Sequence, residues 1–171
     1  VSGPARPLAE AAAERAPDLA AYHDLARLVE RMHRRYLDVV RMELGRLGAD
    51  DIGPVHALMV MLIGRDELSV RDLMERGYFL GSNASYNLKN LVDAGYVDRG
   101  ASQRDRRAAR LRLSDKGMRL HEDLRRIELS QAASLVRTDD DARDLAATHR
   151  TLRRLERLWT DIVRYAGRDI E

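Results

Sequence analysis

The 171-residue sequence predicts a mainly α fold with one small β-hairpin and long helices at both ends. Three observations predict it. Apolar residues recur at three-to-four spacing along two stretches, 25–47 and 145–162, which is the period of a helix face. Residues 96–113 change to alternating polar and apolar positions around an arginine-rich loop, as paired strands do. Between the first long stretch and the hairpin lie three shorter helical patterns, each bounded by glycine, proline or a capping residue.

The elements follow in order. Residues 1–17 lack a clear apolar face and read as a mobile arm. After Pro17, Leu25, Leu28, Val29, Met32, Tyr36, Val39, Val40, Leu44 and Leu47 line one face of a helix that Gly48 can end. Pro54 then opens a second helix, where its missing N–H costs nothing. Residues 55–63 are apolar nearly all round, so that helix should be buried. Ser69-x-x-Asp72 resembles a capping box for a short helix over 70–76, stopped at Gly77. A third short helix runs from about Ser82 to Ala94, with Gly95 at the left-handed C-terminal position. The strands are Tyr96-Val-Asp-Arg99 and Arg110-Leu-Arg-Leu113. Ser114-Asp-Lys-Gly117 begins a long helix with Leu120, Leu124, Ile127 and Leu135 on one face. Thr138-Asp-Asp-Asp141 starts the last helix, with its acids suited to the helix dipole. There Leu145, Thr148, Leu152, Leu155, Trp159 and Ile162 alternate spacings of three and four, giving a coiled-coil-like seam.

Composition removes several function classes. The chain has no cysteine, so disulfides, thiolate-bound zinc, iron–sulfur clusters and thiol redox sensing are excluded. No apolar run approaches the roughly 18 residues of a membrane helix, and no secretory-type apolar region stands near the start. A cytoplasmic location is the expectation. His23, His33, His56, His121 and His149 show no metal-ligand spacing with carboxylate partners, and they read as structural or surface residues, with a metal sensor as the minority reading. No nucleophile–base set or phosphate-binding glycine loop is visible, so no catalytic residue, metal or cofactor is assigned and an enzyme is not expected.

The net charge is only +2, but its distribution is uneven. From Arg99 to Arg112, six arginines (Arg99, Arg104, Arg106, Arg107, Arg110 and Arg112) stand against one acid, Asp105. Such a clump is the footprint of a phosphate-binding surface, although an arginine clump alone is as often solvated surface. The major groove of DNA admits one α-helix, which needs an apolar face to anchor it and a polar face to read. On a helix over 82–94, Ala84, Leu88, Leu91 and Val92 fall inwards. Asn83, Tyr86, Asn87 and Asn90 fall outwards, with Ser82, Ser85 and Lys89 beside them. No carboxylate interrupts that polar face before Asp93. Asparagine can bond adenine edges, whereas Ser82 and Lys89 suit phosphates. The order of elements is that of a winged helix-turn-helix over 54–113, flanked by helical dimerisation regions at 18–53 and 114–171.

Leu91-Val-Asp-Ala-Gly-Tyr-Val97, Arg104-Asp-Arg-Arg-Ala108 and Leu111-Arg-Leu-Ser-Asp-Lys-Gly117 resemble the multiple antibiotic resistance regulator (MarR) family of bacterial transcriptional regulators. Asp105-Arg106-Arg107 matches the wing motif of that family and Ser114-x-x-Gly117 its following helix start. Gly77-Tyr-Phe-Leu-Gly-Ser-Asn-Ala-Ser-Tyr-Asn87 is similar to the LdtR subgroup, linked to cell-wall L,D-transpeptidase and stress genes. The resemblance implies a homodimer gripping a pseudo-palindromic operator, with Arg107 entering a minor groove and Asp105 orienting the wing. It implies a ligand-responsive repressor associated with the nucleoid through DNA, and a small-molecule pocket near Met32, Tyr36 and Met59. Leu25, Leu145, Leu152, Leu155, Trp159 and Ile162 are the expected dimer contacts, although the last-helix seam could also be intramolecular core. The rival readings are a winged-helix protein-interaction module and a nonspecific DNA-binding protein.

Overall fold

The computed structural model describes residues 18–77, 81–101 and 109–166. The expected arm over 1–17 lies outside them. The order is α1 (Leu19–Arg46), α2 (Pro54–Ile63), β1 (Leu68–Ser69), α3 (Val70–Gly77), α4 (Gly81–Asp93), β2 (Val97–Ala101), β3 (Ala109–Leu113), α5 (Asp115–Leu135) and α6 (Asp139–Ala166). No described helix is long and apolar enough to cross a membrane.

Capping chemistry sets the helix boundaries. The Asp18 carboxylate accepts the Ala21 N–H at 2.9 Å and starts α1. At its end the Ala49 N–H reaches back to Leu44 O and the Gly48 N–H to Gly45 O, the paired bonds of a Schellman turn. That turn requires a left-handed residue, and Gly48 supplies it at φ +69°. Ser69 and Asp72 form the expected reciprocal cap on α3: the Asp72 N–H donates to Ser69 Oγ, and the Ser69 N–H and hydroxyl both donate to Asp72 Oδ2.

The central element is α2, apolar nearly all round as expected. It packs against α1, α3, α4, α5 and β3, and Ala57, Met59 and Val60 have no exposed surface. His56 sits in its first turn, where Nδ1 accepts the Gly53 N–H at 3.0 Å. That bond places the ring proton on Nε2, which is buried with no partner among the described residues. Burial holds His56 below the usual histidine range, and burial followed by the nearby Arg125 and Arg65 does the same to His121.

The hairpin is part of a three-stranded antiparallel sheet ordered β1-β3-β2. Strand β1 was not expected, because two residues are too few to show an alternating pattern. Leu68 pairs with Leu111 and Ser69 with Arg110, which ties the start of α3 to the hairpin. In the β2–β3 ladder Val97 faces Leu113, Arg99 faces Leu111 and Ala101 faces Ala109.

Hairpin and helical region meet at Tyr96. A second Schellman turn closes α4, with Gly95 at φ +76° and the Tyr96 N–H bonded to Leu91 O. The Tyr96 carbonyl accepts the Ser114 N–H, and the Ser114 hydroxyl donates to Gly95 O at 2.6 Å while capping α5 through the Gly117 N–H. A methyl group on Gly117 would stand 2.1 Å from Tyr96 O, inside any tolerable contact. On the other side of the same residue, the Tyr96 hydroxyl and the Lys116 ammonium each donate to Asp51 at 2.7 Å. Lys116 also donates to Ala94 O, and its Nζ lies 4.0 Å above the Tyr96 ring. These bonds lock the α1–α2 loop, the end of α4 and the start of α5 together. Hydrogen bonds from Lys116 and then Tyr96 hold the Asp51 carboxyl below the usual carboxylate range.

Gly117→Ala should destabilise the fold by about 2 kcal/mol, since the overpacking cost outweighs the gain in helix propensity; urea denaturation measures it. Asp51 titrates lower folded than unfolded, where about 3.9 is ordinary. Its contribution is therefore complete above about pH 4 and lost as pH falls through the folded value. Stability measured from neutral to acid pH should fall less steeply for Asp51→Asn than for the wild type, and equal slopes would remove Asp51 from the junction.

Candidate nucleic-acid interface

The α4 helix has the two faces that its sequence implies. Ala84, Leu88 and Leu91 are buried at helical spacing and join the main core, with Val92 packed beside them. Burying a leucine of this kind contributes roughly 2 kcal/mol, enough to fix the helix orientation. On the other side Asn83, Ser85, Tyr86 and Lys89 are exposed, and Asn87 and Asn90 are half-buried. Tyr86 is 66% exposed. The Ser82 side chain lies outside the described part.

Lys89, expected to meet phosphate, is held by Asp93 at 2.5 Å one turn along α4. Asp93 is the single carboxylate of α4, so the pair leaves the helix electrically neutral. In the hairpin, Asp98 and Arg112 occupy facing positions and form an ion pair at 3.4 Å. Arg99 is exposed and Arg110 is half-buried beside β1. Arg104, Asp105, Arg106 and Arg107, the expected wing tip, lie outside the described residues.

A cleft of about 760 Å³ opens between α4 and the helical region. Its walls are His33, Tyr36 and Leu37 from α1 and Leu58, Met61 and Leu62 from α2. Asn83, Tyr86 and Asn87 of α4 and Glu128 of α5 stand opposite, with Val55 and Gly77 also at its edge. The Tyr36 hydroxyl donates to Glu128 Oε1 at 3.2 Å, and burial together with that carboxylate pushes the phenol above its ordinary pKa. The pocket expected near Met32, Tyr36 and Met59 is thus corrected in two of its three residues. Met59 is wholly buried in the core, because two residues along a helix is more than half a turn and Leu58, Met61 and Leu62 carry the cleft side. Met32 is 54% exposed and lies one turn of α1 beyond Tyr36, outside the cleft. The helical spacing of His33 with Leu37, and of Leu58 with Met61 and Leu62, was visible in the sequence. The facing of α1 towards α4 was not.

The expected dimer contacts divide. Leu155 is buried within the chain and Leu25, Leu152 and Trp159 are half-buried, while Leu145 and Ile162 are exposed. The Trp159 indole N–H donates to the Tyr22 hydroxyl at 3.1 Å, tying α6 to α1. Among the described residues no three histidines, aspartates or glutamates gather closely enough to hold a metal ion.

A family model described as MarR family matches residues 50–108, the segment from the Asp51 loop into the wing. Over 147 residues, 86% of this chain and 76% of the relative, the sequence is 47% identical to the exopolysaccharide II synthesis transcriptional activator ExpG of Rhizobium meliloti strain 1021. The chain belongs to the MarR family. It is a transcriptional regulator with a winged-helix fold. Two solved structures of this fold were crystallised with DNA. Streptococcus pneumoniae FabT is 19% identical with a TM-score of 0.63, covering 82% of this chain and 99% of that one. A MarR family transcriptional regulator from Listeria monocytogenes, complexed with 26mer DNA, is 18% identical with a TM-score of 0.68, covering 84% of this chain and 93% of that one.

The burial pattern of α4 separates its anchoring residues from its exposed ones. Leu88→Ala should cost roughly 2–4 kcal/mol of folding stability through the cavity it leaves. Tyr86→Ala should change stability by less than about 0.5 kcal/mol. Urea denaturation of both variants distinguishes them, and comparable losses would place Tyr86 in the fold.

Proposed function

We propose that this MarR-family regulator acts as a homodimer on double-stranded DNA, with α4 of each protomer in a major groove and the wing over 100–109 at the adjacent minor groove. The observation that carries the reading is the division of α4. Three buried apolar anchors hold the helix, and an amide- and hydroxyl-bearing face is presented with its one carboxylate neutralised by Lys89. FabT and the Listeria regulator, which share the fold, were crystallised on DNA, and this supports the assignment. Among the described residues, Asn83, Ser85, Tyr86, Asn87 and Asn90 are the base-reading candidates. Lys89 would exchange Asp93 for phosphate, and Ser82 at the helix start would hold a second phosphate. Arg104, Arg106 and Arg107 would supply the wing contacts, oriented by Asp105.

Dimerisation is supported by the apolar side chains left uncovered on the terminal helices. Leu19, Leu28, Leu145, Ile162 and Val163 are all more than a third exposed, on elements joined by the Trp159–Tyr22 bond. A second copy would cover them and set the spacing of the two reading helices at about one turn of DNA. The cleft beside α4 is the proposed effector site, acting by its different affinity for the two dimer geometries. Repression is the family expectation, whereas the Rhizobium relative is an activator. The same grip serves either sign, according to where the operator lies. Action on chromosomal DNA would place the protein in the cytoplasm, and this reading involves no catalysis.

Fluorescence anisotropy with the duplex upstream of the gene and a scrambled duplex tests the proposal. Asn87→Ala should cost about 1–3 kcal/mol on the cognate duplex alone, while Arg107→Ala should weaken binding through the wing. Equal affinity for both duplexes would favour a nonspecific binder, and no binding at low salt an interaction module. Sedimentation should show a dimer in the wild type and a weakened one in Ile162→Glu.

A further inference from the structure

The outward face of α6 carries a charge pattern that neither the fold nor the proposed grip on DNA uses. Arg143, Arg150, Arg157 and Arg164 recur at intervals of seven residues, and Arg154 lies one turn from both Arg150 and Arg157. Seven residues are two helical turns to within about 20°, so these side chains form one row. All five are exposed, on the side of α6 away from the buried Leu155 and the half-buried Leu152 and Trp159. From Arg150 to Arg164 the row is about 21 Å long, at about 1.5 Å per residue.

Elsewhere the exposed helices of this chain pair their cations locally. Arg34 meets Glu30, Arg71 meets Glu75 and Arg126 meets Asp123, each about one turn away. On α6 itself Arg143 is held by Asp140 and Arg153 by Glu156. Arg150, Arg154, Arg157 and Arg164 have no ion-pair or hydrogen-bond partner among the described residues. Asp161 is the one carboxylate on this stretch of the row, and it bonds none of them. The arginines stand instead beside one another, and like charges one turn apart weaken a helix.

A second row runs next to the first. Leu158 and Tyr165, also seven residues apart, are 50% and 59% exposed, and each directly follows an arginine of the row. Charge and apolar surface therefore share one period. A phosphate strand offers nothing to cover the leucine, and it winds away from a straight row, since the duplex turns once in about 34 Å. An acidic helix rises at the same rate as α6 and keeps both rows in register along its length. Leu145 and Val163, assigned above to the dimer, lie on a different side of α6. The helix makes no extensive contact with α4 or the hairpin, so an occupant of this face leaves the DNA-facing elements clear.

We propose that this face of α6 docks an acidic amphipathic helix of a partner protein, with carboxylates at seven-residue spacing against Arg150, Arg157 and Arg164 and apolar side chains against Leu158 and Tyr165. Arg154 sits between the first two cations and strengthens the field there. The docking is independent of the duplex, and a dimer offers the face once on each protomer.

The probe is a fluorescently labelled synthetic helix of about three heptads, with Glu and Leu at adjacent seven-residue positions. Its controls are the same peptide with Gln in place of Glu, and polyglutamate of equal charge. Anisotropy with the full chain at physiological salt should show the Glu–Leu peptide binding at least about tenfold more tightly than either control. The double variant Arg150→Ala, Arg157→Ala should lose at least about tenfold, and Leu158→Ser several-fold. Alanine is a strong helix former, so circular dichroism of the double variant should match the wild type. Its sedimentation and its affinity for the gene's own duplex should match as well. Polyglutamate binding as tightly as the peptide would reduce the face to a general polyanion attractor and overturn the proposal. So would failure of the peptide to bind, or an affinity that survives the double substitution. Loss of the dimer in the double variant would assign the face to a second copy of the chain. Loss of affinity for a scrambled duplex would assign it to nucleic acid, and either result rules out the partner helix.

Discussion

Much of the molecule turns on a single backbone carbonyl. Tyr96 O accepts the Ser114 N–H and lies against Gly117, so the hairpin and the long α5 helix approach more closely than any side chain at position 117 would permit. The same tyrosine closes α4 through its N–H and reaches Asp51 through its hydroxyl. One residue therefore sets the end of α4, the start of the hairpin and the start of a helix leading to the terminal region. Tyr96 is 3% exposed and its ring is covered by the Lys116 ammonium, while Asp51, which accepts its hydroxyl, stands exposed at the edge of the junction. The placement of α4 relative to the start of α5 is set here by hydrogen bonds and close packing around Tyr96.

Most of this was legible in the sequence because the signals were local. Gly48 and Gly95 stood where left-handed caps were needed, Ser69 and Asp72 had capping-box spacing, and Ser114-x-x-Gly117 marked a helix start. The inward face of α4 followed from a 3.6-residue period. What could not be read depended on facing between distant elements. Strand β1 is two residues long and exists because β3 has a free edge beside α3. The Asp51–Lys116 pair joins positions 65 residues apart with no pattern to announce it. The cleft was placed near the right helices, but Met59 was assigned to the wrong side of one of them, since an all-apolar helix gives periodicity no purchase.

The all-apolar character of α2 has a structural cost and a use. Packed against α1, α3, α4, α5 and β3, it cannot turn without disturbing every neighbour. Its buried side, with Ala57, Met59 and Val60, belongs to the core, and its half-buried side forms the floor of the cleft. The histidines at positions 56 and 121 add polar atoms to this interior that find no partner among the described residues, a local cost carried by the surrounding packing.

The Lys89–Asp93 pair has a consequence beyond charge balance. An acid one turn away from a cation competes with every phosphate that the cation could meet, whatever the sequence of the duplex. The affinity it removes is therefore the part common to all DNA, while amide contacts to base edges are untouched. A chromosome presents far more wrong sites than right ones, and a protein that adheres less to the wrong ones spends less of its time on them. If α4 meets DNA as proposed, Asp93 would shorten that search, giving up grip in exchange for mobility along the duplex.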